Sequence, residues 1–555
     1  MNYLIIAQLI IRPFICEQVN ASLGFFFDIT FLGCFLLFIL NSKQLKVKKS
    51  VFLISLIFPF FIVLSNFFSV NSYNSQAELL RIFVLVLIFN FVCLLESKQR
   101  RFLIAGMLCI SGIICLRALY QYFSGIDFIR DSNSFEQLTK DGFYAWELLL
   151  NKRAVSWFVS PNILGGYLIG FFPLASVYLF KSIGEKNTTK ILIFSFLCLF
   201  LFLSLLLTKA LAVFLSFILS MIFLFVLIYK DKDRGVIKRY AGIALLFSCV
   251  CLFGLFFSRR EAFIDLKNPQ NSITQRLYYW QSSLKIINEH PLVGVGAGNF
   301  KIVYPRFKNA SANETIYAHN SYLQIWAESG LPALAFFIVF VFIVFRVALK
   351  KRISPVDSGM IAGCLGVLLY NFLDYSFFIT QATHIWWIFL ACVLSSGDQD
   401  KNITAESSWR LISLRLCYLV LCLFLLFNAF LFSKTEKSIR DAVMFFKNRE
   451  FDKSIAAAQE ALVYKSNNDL AYYILARNFR SIEKSKLSAR ALSYYKKAIS
   501  LNDNYAFYYG ELANYLLMHN KINGARQFSE LALKFYPQNK KFQALNYKVD
   551  SSKSD

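Results

Sequence analysis

Glu328-Ser329-Gly330-Leu331-Pro332-Ala333-Leu334-Ala335-Phe336-Phe337-Ile338-Val339-Phe340-Val341-Phe342-Ile343-Val344-Phe345 marks the point where a polar stretch, Ser258 to Gly330, gives way to an apolar run. A span across a hydrocarbon core needs about 20 consecutive apolar residues, and the run from 331 to 349 is of that length. Similar runs recur at 3–18, 23–41, 51–70, 79–96, 102–123, 163–180, 191–208, 210–229, 240–257, 358–378, 384–397 and 411–433. The expected fold is therefore all-α and polytopic, with about 12–13 transmembrane helices. A membrane domain is expected over 1–433, with 258–330 as its large outer loop, and a second domain over 434–555.

Composition agrees. At 57% hydrophobic and 17% charged residues, with 61 phenylalanines, the chain falls outside the range of soluble globular proteins. The first apolar segment, Asn2 to Cys16, lacks a preceding basic region and a small-residue cleavage site. It also carries Arg12 and Pro13, so it reads as a retained span and not as a removed signal peptide. A net charge of +25 invites a nucleic-acid reading. However, the basic residues gather in short loops between spans, where they set orientation, and no nucleic-acid partner is expected. All twelve cysteines fall inside expected spans, which leaves no disulfide framework and no metal-spaced thiol pair.

Every second loop is basic: Lys43 to Lys49, Lys98 to Arg101, Lys181 to Lys190, Lys230 to Arg239 and Lys350 to Arg352. By the positive-inside rule these loops and the N-terminus are cytoplasmic. That parity puts the loop Ser124–Pro161, the turn Thr208-Lys209-Ala210, the loop Ser258–Gly330 and everything after the last span on the outer face. The first span and the short 384–397 span are the weak points, since losing either would invert the C-terminal domain.

After Lys434 the chain loses its long apolar runs, and three stretches align. Ala461-Leu462, Ala498-Ile499 and Ala532-Leu533 close similar segments, with alanine steps near the 34-residue tetratricopeptide period. Pro537 follows where such a repeat ends its second helix. Three helix–turn–helix repeats forming a tetratricopeptide-like α-solenoid are expected, serving as a docking surface for a protein partner.

Within the membrane domain, four stretches stand out: Ser160-Pro161-Asn162-Ile163-Leu164-Gly165-Gly166-Tyr167-Leu168, Arg276-Leu277-Tyr278-Tyr279-Trp280, Pro291-Leu292-Val293-Gly294-Val295-Gly296, and His319-Asn320-Ser321-Tyr322-Leu323 followed by Glu328-Ser329-Gly330. In order and spacing they resemble the O-antigen ligase family of polytopic glycosyltransferases, which also holds O-antigen polymerases and protein O-oligosaccharyltransferases. The resemblance covers roughly 20–395 and is densest over 150–335. It implies transfer of a glycan from an undecaprenyl diphosphate carrier to an acceptor outside a bacterial inner membrane, most simply ligation of O-antigen to lipid A–core. Polymerisation and transfer to protein use the same chemistry on other acceptors.

That chemistry needs a base for the acceptor and cations for the departing diphosphate. His319 is the candidate base, because an imidazole accepts a proton near neutral pH without a large shift. The competing reading is a residue that caps the following helix. Arg276 is the candidate diphosphate ligand: its planar fork matches phosphate oxygens and keeps its charge. As an alternative, Arg276 is a surface residue on an amphipathic helix whose apolar stripe is Leu277, Trp280, Leu284 and Ile287. The two agree if the stripe lies on the membrane surface. Lys209 stands in a turn where the family often carries a Ser-Arg-Gly-like sequence with a second diphosphate-binding arginine. Thr208-Lys209-Ala210 departs from that pattern, keeping the charge but losing the fork. Arg153, Asn162, Arg306, Asn320 and His384 are further candidates for lining the substrate site. His290, before a proline, reads as a helix-end residue.

Two motifs are set aside. Gly294-Val295-Gly296-Ala297-Gly298 resembles a nucleotide loop but follows a proline turn and faces a compartment without ATP, so its glycines are expected to permit a tight turn. Asp231-Lys232-Asp233 resembles an acidic metal pair but lies in a cytoplasmic loop. No metal and no cofactor is expected. A transporter or a scaffold is the reading from another class. A transporter should carry ionisable groups at mid-membrane, and here they are few.

Overall fold

A computed structural model describes residues 1–17, 21–42, 49–125, 153–229, 242, 246, 265, 268–269, 271–350, 354–396, 408–484 and 486–552. The span expected at 240–257, most of the loop Ser124–Pro161, the start of the loop at Ser258 and Asp231-Lys232-Asp233 lie outside these residues. The described residues are helical and contain no strand. This follows from the solvent, since a chain in lipid must satisfy its backbone groups within each segment.

The first helices are α1 (Asn2–Ile11), α2 (Ala21–Asn41), α3 (Lys49–Asn66), α4 (Ser72–Leu94), α5 (Ser97–Tyr120), α6 (Pro161–Gly184), α7 (Thr188–Thr208) and α8 (Leu211–Tyr229). Then come α9 (Ser272–Glu289), α10 (Phe300–Phe307), α11 (Ser321–Lys350), α12 (Pro355–Tyr370), α13 (Thr380–Ser395) and α14 (Ser408–Lys447). Eight helices among the described residues are long and apolar enough to cross a membrane: α2, α4 to α8, α11 and α14. Helices α1, α3, α12 and α13 match the remaining described spans but are shorter. For α1 the reason is local: Pro13 cannot donate to the ladder, and Arg12–Phe14 forms a 3₁₀ turn. Arg12 there is buried and paired with Glu17, whose other oxygen accepts from Thr380 N at 2.9 Å. A buried charge needs such a partner. The basic stretch Lys98 to Arg101 is not a loop but the first turn of α5, and Arg100 is buried with its guanidinium on the carbonyls of Leu95 and Ser395. No disulfide joins the ten described cysteines.

The chain divides into two compact units. The first comprises Met1–Leu53, Leu85–Ile264 and Val339–Cys422. Its centre is α6, 89% of whose most apolar window is buried. Ser160 caps α6 by accepting from Ile163 N, and Pro161 occupies the first helical position, where its missing N–H costs nothing. Helix α12 lies close against α6. A Cβ on Gly363 would stand 2.2 Å from the Gly170 carbonyl oxygen, so small residues set that approach.

The second unit comprises Ile54–Val84, Asp265–Ile338 and Leu423–Asp555. Its C-terminal part holds α15 (Phe451–Tyr464), α16 (Asp469–Ile482), α17 (Ala489–Leu501), α18 (Ala506–Leu517), α19 (Ile522–Phe535) and α20 (Lys540–Ser551). The end of α14 packs with α15 around Ile439, Ala442, Ala457, Ala458 and Ala461. Helices α16 to α18 close a second core around Phe479, Tyr495, Leu512 and Tyr515. The aligned Ala461, Ala498 and Ala532 are fully buried, one each on α15, α17 and α19. Pro537 follows α19. The change of composition at Lys434 falls inside α14, so a continuous helix joins the last span to the first of these helices.

Candidate active site

The second unit assembles the stretch around His319. Helix α9 begins at Asn271, whose side chain accepts from Ile273 N. Arg276, Tyr279 and Trp280 then fall at i, i+3 and i+4, on one side of the helix. His319 lies against that side: its ring stacks on Tyr279 at 5.2 Å and 25°, and its carbonyl accepts from Trp280 Nε1 at 3.4 Å. Arg276 and His319 are thus brought to the same side of α9. The guanidinium of Arg276 is half-buried, its Nε is enclosed without a hydrogen-bond partner, and no ion pair engages it among the described residues.

His319 itself has a left-handed backbone, φ 51°. Non-glycine residues adopt that region at a cost and chiefly where their surroundings impose it. The imposing contacts are visible. The preceding Ala318 is buried and its N–H donates to Gln324 Oε1 at 2.6 Å. Gln324 Nε2 donates to Glu328 Oε1 at 2.9 Å, and that carboxylate also accepts from Phe300 N at 3.0 Å. After His319, the Asn320 side chain accepts from Tyr322 N at 3.0 Å and from Leu323 N at 3.1 Å. Asn320, and not His319, therefore caps α11, which leaves the imidazole out of that role.

The segment leading to His319 is pinned across α9. Gln275 accepts from Asn313 N at 2.7 Å and donates to Ser311 O at 2.9 Å, and Tyr304 donates to Asn313 O at 2.9 Å. Burial pushes the Tyr304 phenol up, so it stays a neutral donor. Arg306 forks onto Glu289, its two terminal nitrogens each 3.0 Å from a carboxylate oxygen. His290 ends α9 as its C-cap.

The glycine-rich stretch wraps the start of α11. Val295 N donates to Ala327 O at 3.0 Å and Gly296 N to Glu328 O at 2.8 Å. Gly294 has φ 67°, and a Cβ there would stand 2.3 Å from the Glu328 carbonyl carbon, so the turn requires glycine. Gly330, φ 81°, kinks α11, and a Cβ on it would meet Leu292 O at 1.9 Å. The two motifs, separate in sequence, are each other's packing partners. Asn299 extends the network, donating to Ser69 Oγ at 2.9 Å and Val295 O at 3.1 Å.

Of the expected apolar stripe on α9, Leu277 and Leu284 face outward, Trp280 is half-buried and Ile287 is buried. The buried face is instead Gln275, Tyr279, Ser282 and Ile286, because hydrogen bonds to the 307–313 segment compete with apolar area there.

In the first unit, three other candidates meet. Arg153 donates through Nε to Thr208 O at 2.8 Å and through a terminal nitrogen to Asn162 Oδ1 at 3.0 Å. Lys209, next to Thr208, ends α7 in a left-handed conformation (φ 48°) with its amine 5.7 Å from the Tyr122 ring centroid. Tyr370 bonds the Asn162 carbonyl at 2.9 Å. His384 is fully buried in α13, its Nδ1 3.2 Å from Thr380 O.

Residues 196–338 match the family model described as O-antigen ligase. Over those residues the chain is similar to the O-antigen ligase family. The match supports a glycosyltransferase of the general O-antigen ligase and polymerase type, and together with the apolar helices it indicates a multi-pass membrane protein. A search of the curated proteins finds no match. The matched residues hold Lys209, Arg276, Arg306, His319 and Asn320, while Arg153, Asn162, His384 and the C-terminal helices lie outside them.

Sequence reasoning passed over Gln324 and did not single out Glu328. Their signal is present: Asn320, Gln324 and Glu328 form an i, i+4, i+8 polar stripe at the start of an otherwise apolar helix, all on one side.

Proposed function

We propose that this ligase-family protein moves a glycan from undecaprenyl diphosphate to an acceptor on the periplasmic face of a bacterial inner membrane, with lipid A–core as the acceptor. One observation carries the reading: an arginine with no ion-pair partner among the described residues shares the side of α9 that stacks on His319. His319 takes the proton of the acceptor hydroxyl as its oxygen bonds the anomeric carbon. The bond from that carbon to the diphosphate breaks, and the electron pair leaves with the diphosphate. Charge-assisted hydrogen bonds from Arg276 strengthen as that charge grows, so they lower the barrier and not merely the dissociation constant. A single displacement of this kind inverts the anomeric configuration. No metal or cofactor enters the scheme. Lys209, beside Arg153 and Asn162, is proposed as a further contact for the anionic donor. The C-terminal helices, read as a periplasmic tetratricopeptide-like solenoid, are proposed to dock a protein partner.

The deciding experiment is His319→Ala in the native cell, following carrier-linked glycan and its products. Accumulated full-length carrier-linked chains with bare lipid A support ligation. Single unpolymerised units point to a polymerase, and loss of glycoprotein to transfer onto protein. An unchanged profile removes His319 from the chemistry.

A further inference from the structure

The C-terminal helices reach the segment that carries His319. Tyr536, just beyond α19, is buried, its ring edge-on to Phe542 at 6.2 Å and to Phe507 at 6.2 Å. Its hydroxyl donates to the Glu314 carboxylate and lies 3.4 Å from Lys308 Nζ. Lys308 pairs with Glu314 in turn, and its amine sits 5.6 Å from the Tyr536 ring centroid. One phenol from the repeat helices thus closes residues 308 and 314 into a loop. Burial and the adjacent carboxylate push that phenol up, so it remains a donor at neutral pH. The chain from Glu314 runs five residues on to His319. Gln275 and Tyr304 hold the strap at Asn313, and Gln324 holds its end at Ala318.

We propose that Tyr536 is a positioning residue for transfer, acting through Glu314 and Lys308 to hold the 308–318 strap and hence the imidazole of His319 in register with α9. The repeat helices are then a structural part of the catalytic half as well as a docking surface. The role rests on His319 as the base.

The test uses the full-length protein in native membranes, with rates normalised to the amount of protein. Tyr536→Phe keeps the ring and its packing and removes only the hydroxyl. Glu314→Gln changes the clasp from its exposed side, and Tyr547→Phe, on the exposed face of α20, is the control. Loss of one hydrogen bond to a charged group predicts about a 10-fold fall in kcat with KM for the donor within about twofold. Amide exchange over 308–318 should quicken by about 10-fold. Combined, Tyr536→Phe and Glu314→Gln should lose no more than either alone, since both act on one contact. Wild-type exchange over 308–318 in Tyr536→Phe overturns the inference, as does a wild-type kcat. If instead His319→Ala transfers glycan normally, the proposed chemistry falls, and exchange over 308–318 still reads the clasp by itself.

Discussion

His319 and Lys209 are both non-glycine residues with left-handed backbones, at φ 51° and φ 48°, one just before a helix and one just after. They reach that conformation by different routes. Lys209 adopts it because α7 ends there: its N–H closes a turn onto Leu206 O at 3.0 Å, a place where helices commonly turn left-handed. His319 adopts it because the residues on both sides are held: Ala318 by Gln324, its own carbonyl by Trp280, its ring by Tyr279, and the next residue by its cap on α11. A residue positioned by a helix end tolerates replacement by anything that keeps the turn. One positioned by converging side chains depends on each of them.

The comparison breaks most decisively at the imidazole. His319→Ala should lower transfer by about 1,000-fold, the range for removing a general base, with little change in melting temperature. A loss under tenfold, measured with purified donor and acceptor, would reduce His319 to a structural residue. Next in size, Arg276→Lys keeps the charge and loses the fork, for an expected drop of about 100-fold in kcat with donor KM nearly unchanged. If KM rises while kcat holds, Arg276 serves ground-state binding only. Gln324→Leu removes two hydrogen bonds behind His319 without touching the imidazole. It should cost about 2 kcal/mol of stability, read by thermal unfolding, together with about a 10-fold drop in rate. Wild-type rate at lowered stability would separate the Gln324 network from positioning. At the other residue, Lys209→Gly should remove a cation while easing the left-handed turn. Stability should rise by up to about 1 kcal/mol as transfer falls only a fewfold. Lys209→Arg should keep or slightly raise the rate, and a large loss there would show that the lysine is more than a charge.

Much of the fold was legible because lipid leaves few choices. Runs of apolar residues became helices wherever described. Boundaries were read less well where side chains override hydropathy. Pro13 shortened α1, with the buried Arg12 beside it paired to Glu17, and Arg100 entered the first turn of α5 because backbone carbonyls receive it. On α9 Leu277 and Leu284 of the apolar stripe face outward, while the helix turns its Gln275 and Tyr279 face inward. Hydrogen bonds to a segment more than thirty residues away outweigh the apolar area left outside, and no local pattern encodes that partner.

What the sequence determined by itself was residue type and period: spans of membrane length, three alanine-marked helical segments, a fork-shaped cation at 276 and a titratable ring at 319. These follow from chemistry that acts within one turn or one bilayer thickness. Tertiary structure alone decided that α9 gathers Arg276 and the His319 ring on one side, and that Asn320 takes the cap and leaves His319 out of it. It also decided that a phenol 217 positions after His319 closes the strap before it. Such contacts join residues remote in the chain, and their partners are chosen by the packing of whole elements, which no spacing along the sequence records.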